Sequence, residues 1–232
     1  MAIKLLTFDL DDTLWPCMTT IMRTEERLHQ WYTKHHPDIS NQYSIKQLRK
    51  KRLQLAKDHQ HIAHDLTTLR KKSFVQLSRE MAYSPEKEEQ FIQDAFEFYI
   101  AERNKVSLYD DVIPVLKALK PLYRLGAVTN GNADIYRIGL GHLFEFSWSA
   151  ADAGQQKPHP IVFNSLLANQ HLQPHEVIHI GDDPISDIQG AQQSGIRAIW
   201  LNRNHAPWPE EVKSTFIEID QLKKLPAILE RL

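Results

Sequence analysis

The sequence predicts an α/β fold in which a parallel β-sheet is flanked by helices, and three observations lead to this prediction. Short apolar runs rich in β-branched residues recur along the chain, and helical patterns separate most of them. Several of these runs end in polar clusters, where the carboxyl edge of a parallel sheet would lie. Near the start of the chain, a stretch of about 90 residues shows helical periodicity alone. The alternation indicates right-handed crossovers, and the interruption indicates an inserted helical domain.

Two carboxylates follow the first predicted strand, which covers residues 3–7. Asp9 and Asp11 stand two positions apart in the segment 8–13, so both side chains can face one cleft. Carboxylates this close resist joint ionisation unless a cation lies between them or one keeps its proton. The pair therefore indicates a site at the strand end, although a solvated acidic turn or a helix cap would give the same pattern.

Four helices are predicted next, in a domain that covers residues 16–105. A connector at residues 14–18 precedes them, because Pro16 disfavours a regular helix there. The first helix is predicted to end at His36-Pro37. Residues suited to cap the other three helices are Ser44, Asp65 and Ser84.

The alternation of strands and helices resumes after residue 111. The predicted helices cover residues 112–119, 133–140, 158–168 and 185–193, the last ended by Gly195. The predicted strands cover residues 123–128, 146–148, 177–180 and 198–201, with an edge strand at 216–219. Residues 1–15 and 106–232 are therefore expected to form a core with a Rossmann-like parallel sheet, and residues 16–105 an inserted four-helix cap domain.

Composition and charge narrow the function classes. The 232 residues are 42% apolar and 25% charged with a net charge of −1, which fits a buried core and excludes a globally basic nucleic-acid binder. The single cysteine, Cys17, excludes an intramolecular disulfide and fits a reducing compartment. Since neither a secretory signal pattern nor a long apolar run is present, we expect a soluble cytoplasmic protein.

Charge divides along the expected domain boundary. Residues 16–105 carry 16 Lys and Arg against 12 Asp and Glu, a net charge of +4, and the remainder carries −5. A basic cap would suit an anionic substrate and a divalent cation, but solvated helix faces would give the same count. The basic runs 49–52 and 70–72 lack interleaved aromatic residues, so we expect no nucleic-acid partner and no membrane partner. We expect a monomer or homodimer.

Three histidines within the predicted cap raise one further alternative. His59, His61 and His64 lie close together and offer the start of a zinc site. Such a site would need a further converging ligand. The chain also lacks a Gly-rich phosphate loop and a dinucleotide-binding fingerprint, so P-loop hydrolysis and dinucleotide redox chemistry have no support.

Polar residues also follow the second and third core strands. Thr129 and Asn130, before Gly131, offer a hydroxyl, an amide and backbone N–H groups that can hold an oxyanion, although the tripeptide is also an ordinary turn. Lys157, before Pro158, can neutralise a phosphate or keep paired carboxylates charged, although most lysines lie at the surface.

A second acidic cluster follows the strand predicted at residues 177–180. Asp182 comes directly after Gly181 and is well placed for a hard cation with oxygen ligands, above all Mg²⁺. Asp183 precedes a proline and suits the N-cap of the next helix instead. Asp187 lies about one helical turn further on.

Each of these polar clusters is weak evidence for a function by itself, but the order in which they follow one another along the chain is more specific. Asp-x-Asp-x-Thr, Thr-Asn, Lys-Pro and Gly-Asp-x-x-x-x-Asp follow one another at predicted strand ends or the turns beyond. In this order the chain resembles the haloacid dehalogenase-like hydrolase superfamily over residues 3 to about 201. The helical insertion resembles the cap of the subgroup whose cap lies between the first two motifs. Within that subgroup the chain is similar to bacterial phosphatases acting on flavin mononucleotide and related riboflavin-pathway phosphates.

The resemblance implies a Mg²⁺-dependent phosphomonoesterase acting on a small phosphorylated metabolite such as a sugar phosphate, a nucleotide or a flavin phosphate. Asp9 would be the nucleophile that forms an aspartyl-phosphate, while Asp11 protonates the leaving oxygen and then activates water. The residues expected to hold the phosphoryl oxygens are Thr129, Asn130 and Lys157. The residues expected to bind Mg²⁺ are Asp9, Asp11 through its backbone carbonyl and Asp182, with Asp187 supporting them near Lys157.

Asp11 bears on the alternatives within the family. A halide leaving group needs no proton, so an acid at this position favours phosphate transfer over carbon–halogen cleavage. A haloacid dehalogenase, a phosphomutase and a non-catalytic protein that binds a phosphorylated ligand or a partner are the other functions this fold would allow.

Overall fold

The computed structural model describes residues 2–212 and 216–232. The chain divides into two compact units. The α/β unit consists of Met1–Pro16 and Ser107–Leu232, and the helical unit consists of Cys17–Val106.

The helical unit contains four long helices and one short one. They are α1 (Cys17–His35), α2 (Pro37–Gln42), α3 (Ile45–Asp58), α4 (Leu66–Glu80) and α5 (Pro85–Arg103). The three predicted caps are confirmed, since each side chain accepts a hydrogen bond from a backbone N–H in the first turn of its helix. The one-turn helix α2 was not predicted. It begins at Pro37, a residue suited to the first position of a helix as well as to ending the one before.

Aromatic side chains form the core of the helical unit. Phe91 is 1% exposed and packs edge-on against Phe74 and Tyr83. Burying a side chain of this size stabilises a fold by roughly 1.5–3 kcal/mol. The unit therefore has a hydrophobic core of its own.

Six parallel strands form the sheet of the α/β unit within the described residues. They are β1 (Leu5–Phe8), β2 (Arg124–Thr129), β3 (Phe146–Ser149), β4 (Val177–Gly181), β5 (Arg197–Leu201) and β6 (Ile217–Ile219). The order across the sheet is β3-β2-β1-β4-β5-β6, with β6 at the edge. The predicted parallel sheet is thus confirmed.

The register of the central strands brings their carboxyl ends together. Phe8, the last residue of β1, pairs with Ala127 of β2 and with Ile180 of β4. The residues that follow these positions therefore meet at one edge of the sheet. This edge carries the candidate site.

Short helices connect the strands. They are α6 (Val112–Leu119), α7 (Ile135–Ile138), α8 (Ala150–Ala153), α9 (Ile161–Gln170), α10 (Gly190–Gln193) and α11 (Leu225–Leu229). A π-helix at Pro184–Gln189 leads into α10. Among the described residues, every helix is too short or too polar to span a bilayer.

Several predicted helix boundaries were wrong. The helix predicted at 133–140 is a single turn, α7, because Gly139 takes a left-handed conformation at its end. The helix predicted from residue 158 begins at Ile161, since residues 157–160 form a turn. The connector predicted at 14–18 is shorter, because α1 begins directly after Pro16.

Candidate active site

Asp9 continues β1 by one residue. Its N–H donates to the carbonyl oxygen of Ile180 at 2.9 Å, so its backbone stays in the sheet. The residue is only 7% exposed and lies at the carboxyl edge. A strand therefore fixes the predicted nucleophile on a rigid part of the fold.

The loop after Asp9 turns back sharply and holds Asp11. Trp15, which is fully buried, donates from Nε1 to Oδ1 of Asp11 at 2.8 Å. Asp12 has a φ of +62° and donates its N–H to the carbonyl oxygen of Trp15 at 2.8 Å. Aspartate tolerates this left-handed conformation better than most residues. Asp12 can therefore form the turn that directly follows Asp11.

Arg203, in the turn after β5, anchors the same loop. Its Nε donates to the carbonyl oxygen of Thr13 at 3.3 Å, and its terminal nitrogens donate to both carboxylate oxygens of Asp111 at 2.9 and 3.2 Å. The guanidinium also lies 4.1 Å from the ring centroid of Tyr109. This planar, bidentate arrangement fixes the guanidinium and hence the loop it contacts.

Lys157 lies at the centre of the site and is 3% exposed. Its Nζ donates to Oδ1 of Asp9 at 2.7 Å, to Oδ1 of Asp187 at 2.6 Å and to the carbonyl oxygen of Val128 at 2.7 Å. The ammonium has three hydrogens, so all of them are bonded. Burial alone would lower the pKa of Lys157, but the charges of Asp187 and Asp9 raise it above its ordinary value. The alternative of a surface lysine was wrong.

Asp187 is fully engaged by hydrogen-bond donors. Its Oδ1 accepts from Lys157 and from Nε2 of His179 at 3.2 Å, and its Oδ2 accepts from the N–H of Asp183 at 3.0 Å. Burial would raise the pKa of Asp187, but Lys157 and His179 hold it below its ordinary value. Gly181 makes room for this carboxylate, because a Cβ there would lie 2.3 Å from its Cγ.

Asp182 faces the loop after β1 and is held by Thr13. The Thr13 hydroxyl donates to Oδ1 of Asp182 at 2.9 Å. Burial, together with the negative charge of Asp187, raises the pKa of Asp182 to about 7, against the lowering effect of the Thr13 hydrogen bond. Asp183 caps the following helix as predicted, since its side chain accepts from two backbone N–H groups.

Three carboxylates could hold a metal ion among the described residues. Asp9, Asp182 and Asp187 each offer an oxygen, and these oxygens lie within 4.8 Å of one another. Burial and its acidic neighbours raise the pKa of Asp9 above its ordinary value, although Lys157 opposes them. Asp187 already accepts from three donors, whereas Asp9 and Asp182 accept fewer hydrogen bonds and keep more lone pairs for a cation. A divalent cation with oxygen ligands fits this pair, since it would allow both carboxylates to ionise.

The two residues that end β2 have different partners. The Thr129 hydroxyl oxygen accepts from the N–H of Gly131 at 2.9 Å, and Thr129 is 2% exposed. Asn130, one of the residues expected to hold phosphoryl oxygens, pairs through its side chain with the backbone of Lys157. Its Oδ1 accepts from the N–H of Lys157 at 2.7 Å and its Nδ2 donates to the carbonyl oxygen of Lys157 at 3.0 Å. Asn130 therefore fixes the backbone that carries the central lysine.

His179 belongs to this network and was missed in the sequence. It lies within β4, is fully buried and contacts Asp187 and Thr7. The available signal was one polar residue inside an otherwise apolar strand. Its significance depended on Thr7, which lies 172 positions away in the chain.

Some of the basic residues and histidines of the helical unit, which raised the alternatives of an anionic partner and a zinc site, make hydrogen bonds or ion pairs within the unit. Arg49 and Arg52 both pair with the buried carboxylate of Glu25, so part of the positive charge is neutralised within the unit. Nδ1 of His59 donates to the carbonyl oxygen of Leu55 at 3.1 Å. Within the described residues, the predicted histidine cluster is not among the groups that could hold a metal.

Comparisons with known proteins agree with this geometry. Residues 3–195 match the profile of the haloacid dehalogenase-like hydrolases. The chain is 29% identical to the 5-amino-6-(5-phospho-D-ribitylamino)uracil phosphatase YigB of Escherichia coli K12, over 98% of this chain and 96% of the relative. It is 26% identical to a glyceraldehyde 3-phosphate phosphatase of Methanopyrus kandleri, over 87% and 84%. A crystal structure described as a 2-haloacid dehalogenase from Pseudomonas syringae pv. Tomato DC3000 superposes with a TM-score of 0.90, at 34% identity and over 99% of both chains.

Proposed function

The chain belongs to the haloacid dehalogenase-like hydrolase family, and from this we propose that it is a Mg²⁺-dependent phosphatase that acts on a small phosphorylated metabolite. The observation that carries the proposal is the pairing of a lysine-held carboxylate, Asp9, with a second carboxylate, Asp11, two residues further along a tightly held loop. A nucleophile and a general acid are what the two steps of phosphate-ester hydrolysis require. The phosphatases among the relatives support the same reaction.

Asp9 performs the first displacement. Lys157 occupies Oδ1, and no described residue donates to Oδ2, so Oδ2 is the oxygen that attacks phosphorus. As the new P–O bond forms, the bond from phosphorus to the ester oxygen breaks and leaves an aspartyl-phosphate. Asp11, protonated at this stage, donates its proton to the departing alcohol.

The second step reverses the proton flow. Asp11, now ionised, takes a proton from water as the water oxygen attacks phosphorus. The P–O bond to Asp9 breaks, which regenerates the carboxylate and releases inorganic phosphate. Trp15 holds Asp11 in one orientation through both steps by its bond to Oδ1.

Positive and polar groups oppose the charge of the phosphoryl group. Lys157 and the hydroxyl of Thr129 would hold its oxygens, and Asn130 acts by fixing the backbone of Lys157. Mg²⁺ would be held by Asp9, Asp182 and the backbone carbonyl of Asp11, where it would neutralise the repulsion between the nucleophile and the phosphate. Asp187 supports the site by holding Lys157.

The two units would divide the work. We assign the reaction to the α/β unit, which contains all the residues named above, and we assign substrate selection to the helical unit as a cap. The chain has a single cysteine and so cannot form an intramolecular disulfide, which suits a cytoplasmic enzyme.

Phosphate release from a panel of esters tests the proposal. The panel contains flavin mononucleotide, 5-amino-6-(5-phospho-D-ribitylamino)uracil, glyceraldehyde 3-phosphate, sugar phosphates and nucleotides, each with Mg²⁺ and with EDTA. We expect Mg²⁺-dependent release from at least one ester, and loss of at least a thousandfold in Asp9→Asn with its circular dichroism unchanged. Asp9→Asn turnover near that of the wild type would overturn the mechanism.

The structural neighbour described as a haloacid dehalogenase favours one competing function. The same preparations are therefore assayed for halide release from 2-haloacids. Halide release that persists in EDTA, without phosphate release from any ester, would assign the dehalogenase reaction to this chain. Phosphate release alone would exclude it.

A further inference from the structure

His179 connects the inside of the sheet to the candidate site. It lies on β4 opposite Thr7 of β1, and both residues are fully buried. Its Nδ1 lies 2.9 Å from the hydroxyl oxygen of Thr7, and its Nε2 lies 3.2 Å from Oδ1 of Asp187. The ring of Phe163 packs edge-on against the imidazole, with centroids 4.9 Å apart. The ring is thus held on three sides.

The donors and acceptors around the ring define its tautomer. An ionised carboxylate accepts hydrogen bonds and donates none, so Nε2 of His179 must carry a hydrogen towards Asp187. In the neutral ring Nδ1 is then an acceptor, and the hydroxyl of Thr7 must donate to it. The alternative acceptor for that hydroxyl, the carbonyl oxygen of Ile178, is further away at 3.5 Å.

The same bond restrains the groups beyond Asp187. Oδ1 of Asp187 accepts from His179 and from Lys157, and Lys157 also donates to Oδ1 of Asp9. If the N–H of His179 were removed, the carboxylate of Asp187 would lose a partner that fixes its rotation. The ammonium of Lys157, which donates to that carboxylate, would then be held less firmly. Groups that orient the residues of a site in this way typically affect activity by 10–100-fold.

We propose that His179 is a positioning residue: its Nε2–H tautomer, selected by Thr7, fixes Asp187 and through it holds Lys157 against Asp9. The part of this inference that concerns turnover rests on the proposed phosphatase function. The part that concerns the hydrogen-bond chain does not depend on it.

Steady-state kinetics of matched variants test the effect on turnover. His179→Leu removes the donor, whereas His179→Gln places an amide N–H near the position of Nε2. We expect His179→Leu to lower kcat at least tenfold with KM within twofold of the wild type, and His179→Gln to stay within threefold in both. Thr7→Val, which leaves Nδ1 without its donor, should also lower kcat, whereas Thr7→Ser should not.

A purely structural histidine would behave differently. It would lower the melting temperature and leave kcat unchanged at temperatures well below melting. The proposal is overturned if His179→Leu keeps the wild-type kcat, or if His179→Gln is as impaired as His179→Leu. Should His179→Leu fail to fold, Thr7→Val and Thr7→Ser make the same comparison, because they remove or keep the donor to Nδ1 of His179.

NMR tests the hydrogen-bond chain without any substrate. In protein labelled with ¹⁵N-histidine, the signal absent from His179→Gln identifies His179, and we expect a protonated Nε2 and an unprotonated Nδ1 at pH 7. The side-chain ammonium of Lys157, buried and fully bonded, should give a slowly exchanging ¹H–¹⁵N signal that Thr7→Val broadens or abolishes. A protonated Nδ1, or an unchanged ammonium signal in Thr7→Val, would overturn the proposal. If the wild type released no phosphate while these signals were found, the phosphatase proposal alone would fail.

Discussion

At the scale of single residues, the site depends on the interactions among four buried or nearly buried ionisable side chains. Lys157 is the positive charge among Asp9, Asp182 and Asp187, and it donates to two of these carboxylates. The third, Asp182, is paired with a neutral hydroxyl and has the pKa of about 7. The three carboxylates therefore differ in their partners: Asp9 and Asp187 accept from Lys157, whereas Asp182 accepts from Thr13.

Gly181→Ala should damage the site through one added methyl group. The new Cβ would lie 2.3 Å from Cγ of Asp187, so the carboxylate must move away from Lys157. We expect a loss of about 1–3 kcal/mol in the free energy of unfolding. We also expect at least a tenfold fall in kcat. Urea denaturation and phosphate-release kinetics measure the two effects, and wild-type values in both would show that Asp187 can be displaced without consequence.

Asp182→Asn should stabilise the metal-free protein at high pH. Because the pKa of Asp182 is raised to about 7 in the folded state, the folded protein binds this proton more tightly than the unfolded chain. Its contribution to stability is complete below about pH 4 and is lost as the pH rises through 7. In EDTA at pH 8 we therefore expect the variant to be more stable than the wild type by roughly 1–3 kcal/mol, and to be equally stable at pH 4.

Urea titrations in EDTA at pH 4, 6 and 8 measure this difference, with the exposed carboxylate variant Glu230→Gln as the control. The depressed pKa of Asp187 does not interfere, since its contribution is complete above about pH 4. A wild-type advantage at pH 8 would contradict the prediction.

At the scale of elements, the site is made by loops that leave neighbouring strands at one edge. The loop after β1 is the most constrained of them, since the side chains of Trp15 and Arg203 and the left-handed Asp12 each fix part of it. The loop after β4 is constrained by the Asp183 cap. Ordered loops of this kind hold charged side chains in place before any ligand arrives.

Arg203→Gln should release the loop after β1. The variant loses the contact with the carbonyl oxygen of Thr13 and the bidentate pair with Asp111. We expect the free energy of unfolding to fall by about 1–3 kcal/mol. We also expect kcat to fall severalfold, because Thr13 would no longer hold Asp182 in place. Arg197→Gln removes an exposed arginine from the start of β5, the strand that precedes Arg203, and serves as the control. Equal behaviour of the two variants would show that Arg203 does not restrain the loop.

Elements were predictable from the sequence where their cause is local. The caps Ser44, Asp65 and Ser84 act on the next few residues, and apolar runs marked each strand. The one-turn helices α2, α8 and α11 have too few residues to show a period. The helix predicted at 185–193 is present, but its first part, Pro184–Gln189, is a π-helix, whose wider turn leaves no mark in the apolar pattern.

Residues of the candidate site were likewise predictable where their position depends on the local sequence, and not where it depends on distant contacts. Asp9 and Asp182 are brought together because each directly follows a strand end, and Lys157 lies in the turn beyond β3 and α8, as the sequence indicated. The pairing of Asn130 with Lys157 joins two loops 27 positions apart, and the contact of His179 with Thr7 joins two strands 172 positions apart. No spacing in the sequence contains that information.

At the scale of the whole molecule, the folded state and the bound cation should stabilise each other. A ligand that binds only the folded chain raises its stability by RT ln(1 + [L]/Kd), or about 2.7 kcal/mol at a hundred times Kd. We expect Mg²⁺ to raise the melting temperature of the wild type but not that of Asp182→Asn, and EDTA to abolish phosphate release reversibly. Ca²⁺ at equal concentration tests whether the site distinguishes the two ions. Phosphate release that is unaffected by EDTA would contradict the assignment of a metal.

The place of β1 in the sheet has a consequence for the order in which the protein is made. β1 lies at the centre of the sheet, yet Leu5 pairs with Arg124 and with Val177, which the ribosome adds more than a hundred residues later. The helical unit, Cys17–Val106, is complete before either partner strand exists, and its contacts are internal to one continuous segment. Domains fold as units during synthesis, and local contacts form faster than distant ones. We therefore expect the helical unit to fold first on the ribosome, before β1, which leads into the proposed nucleophile Asp9, can pair with either neighbouring strand.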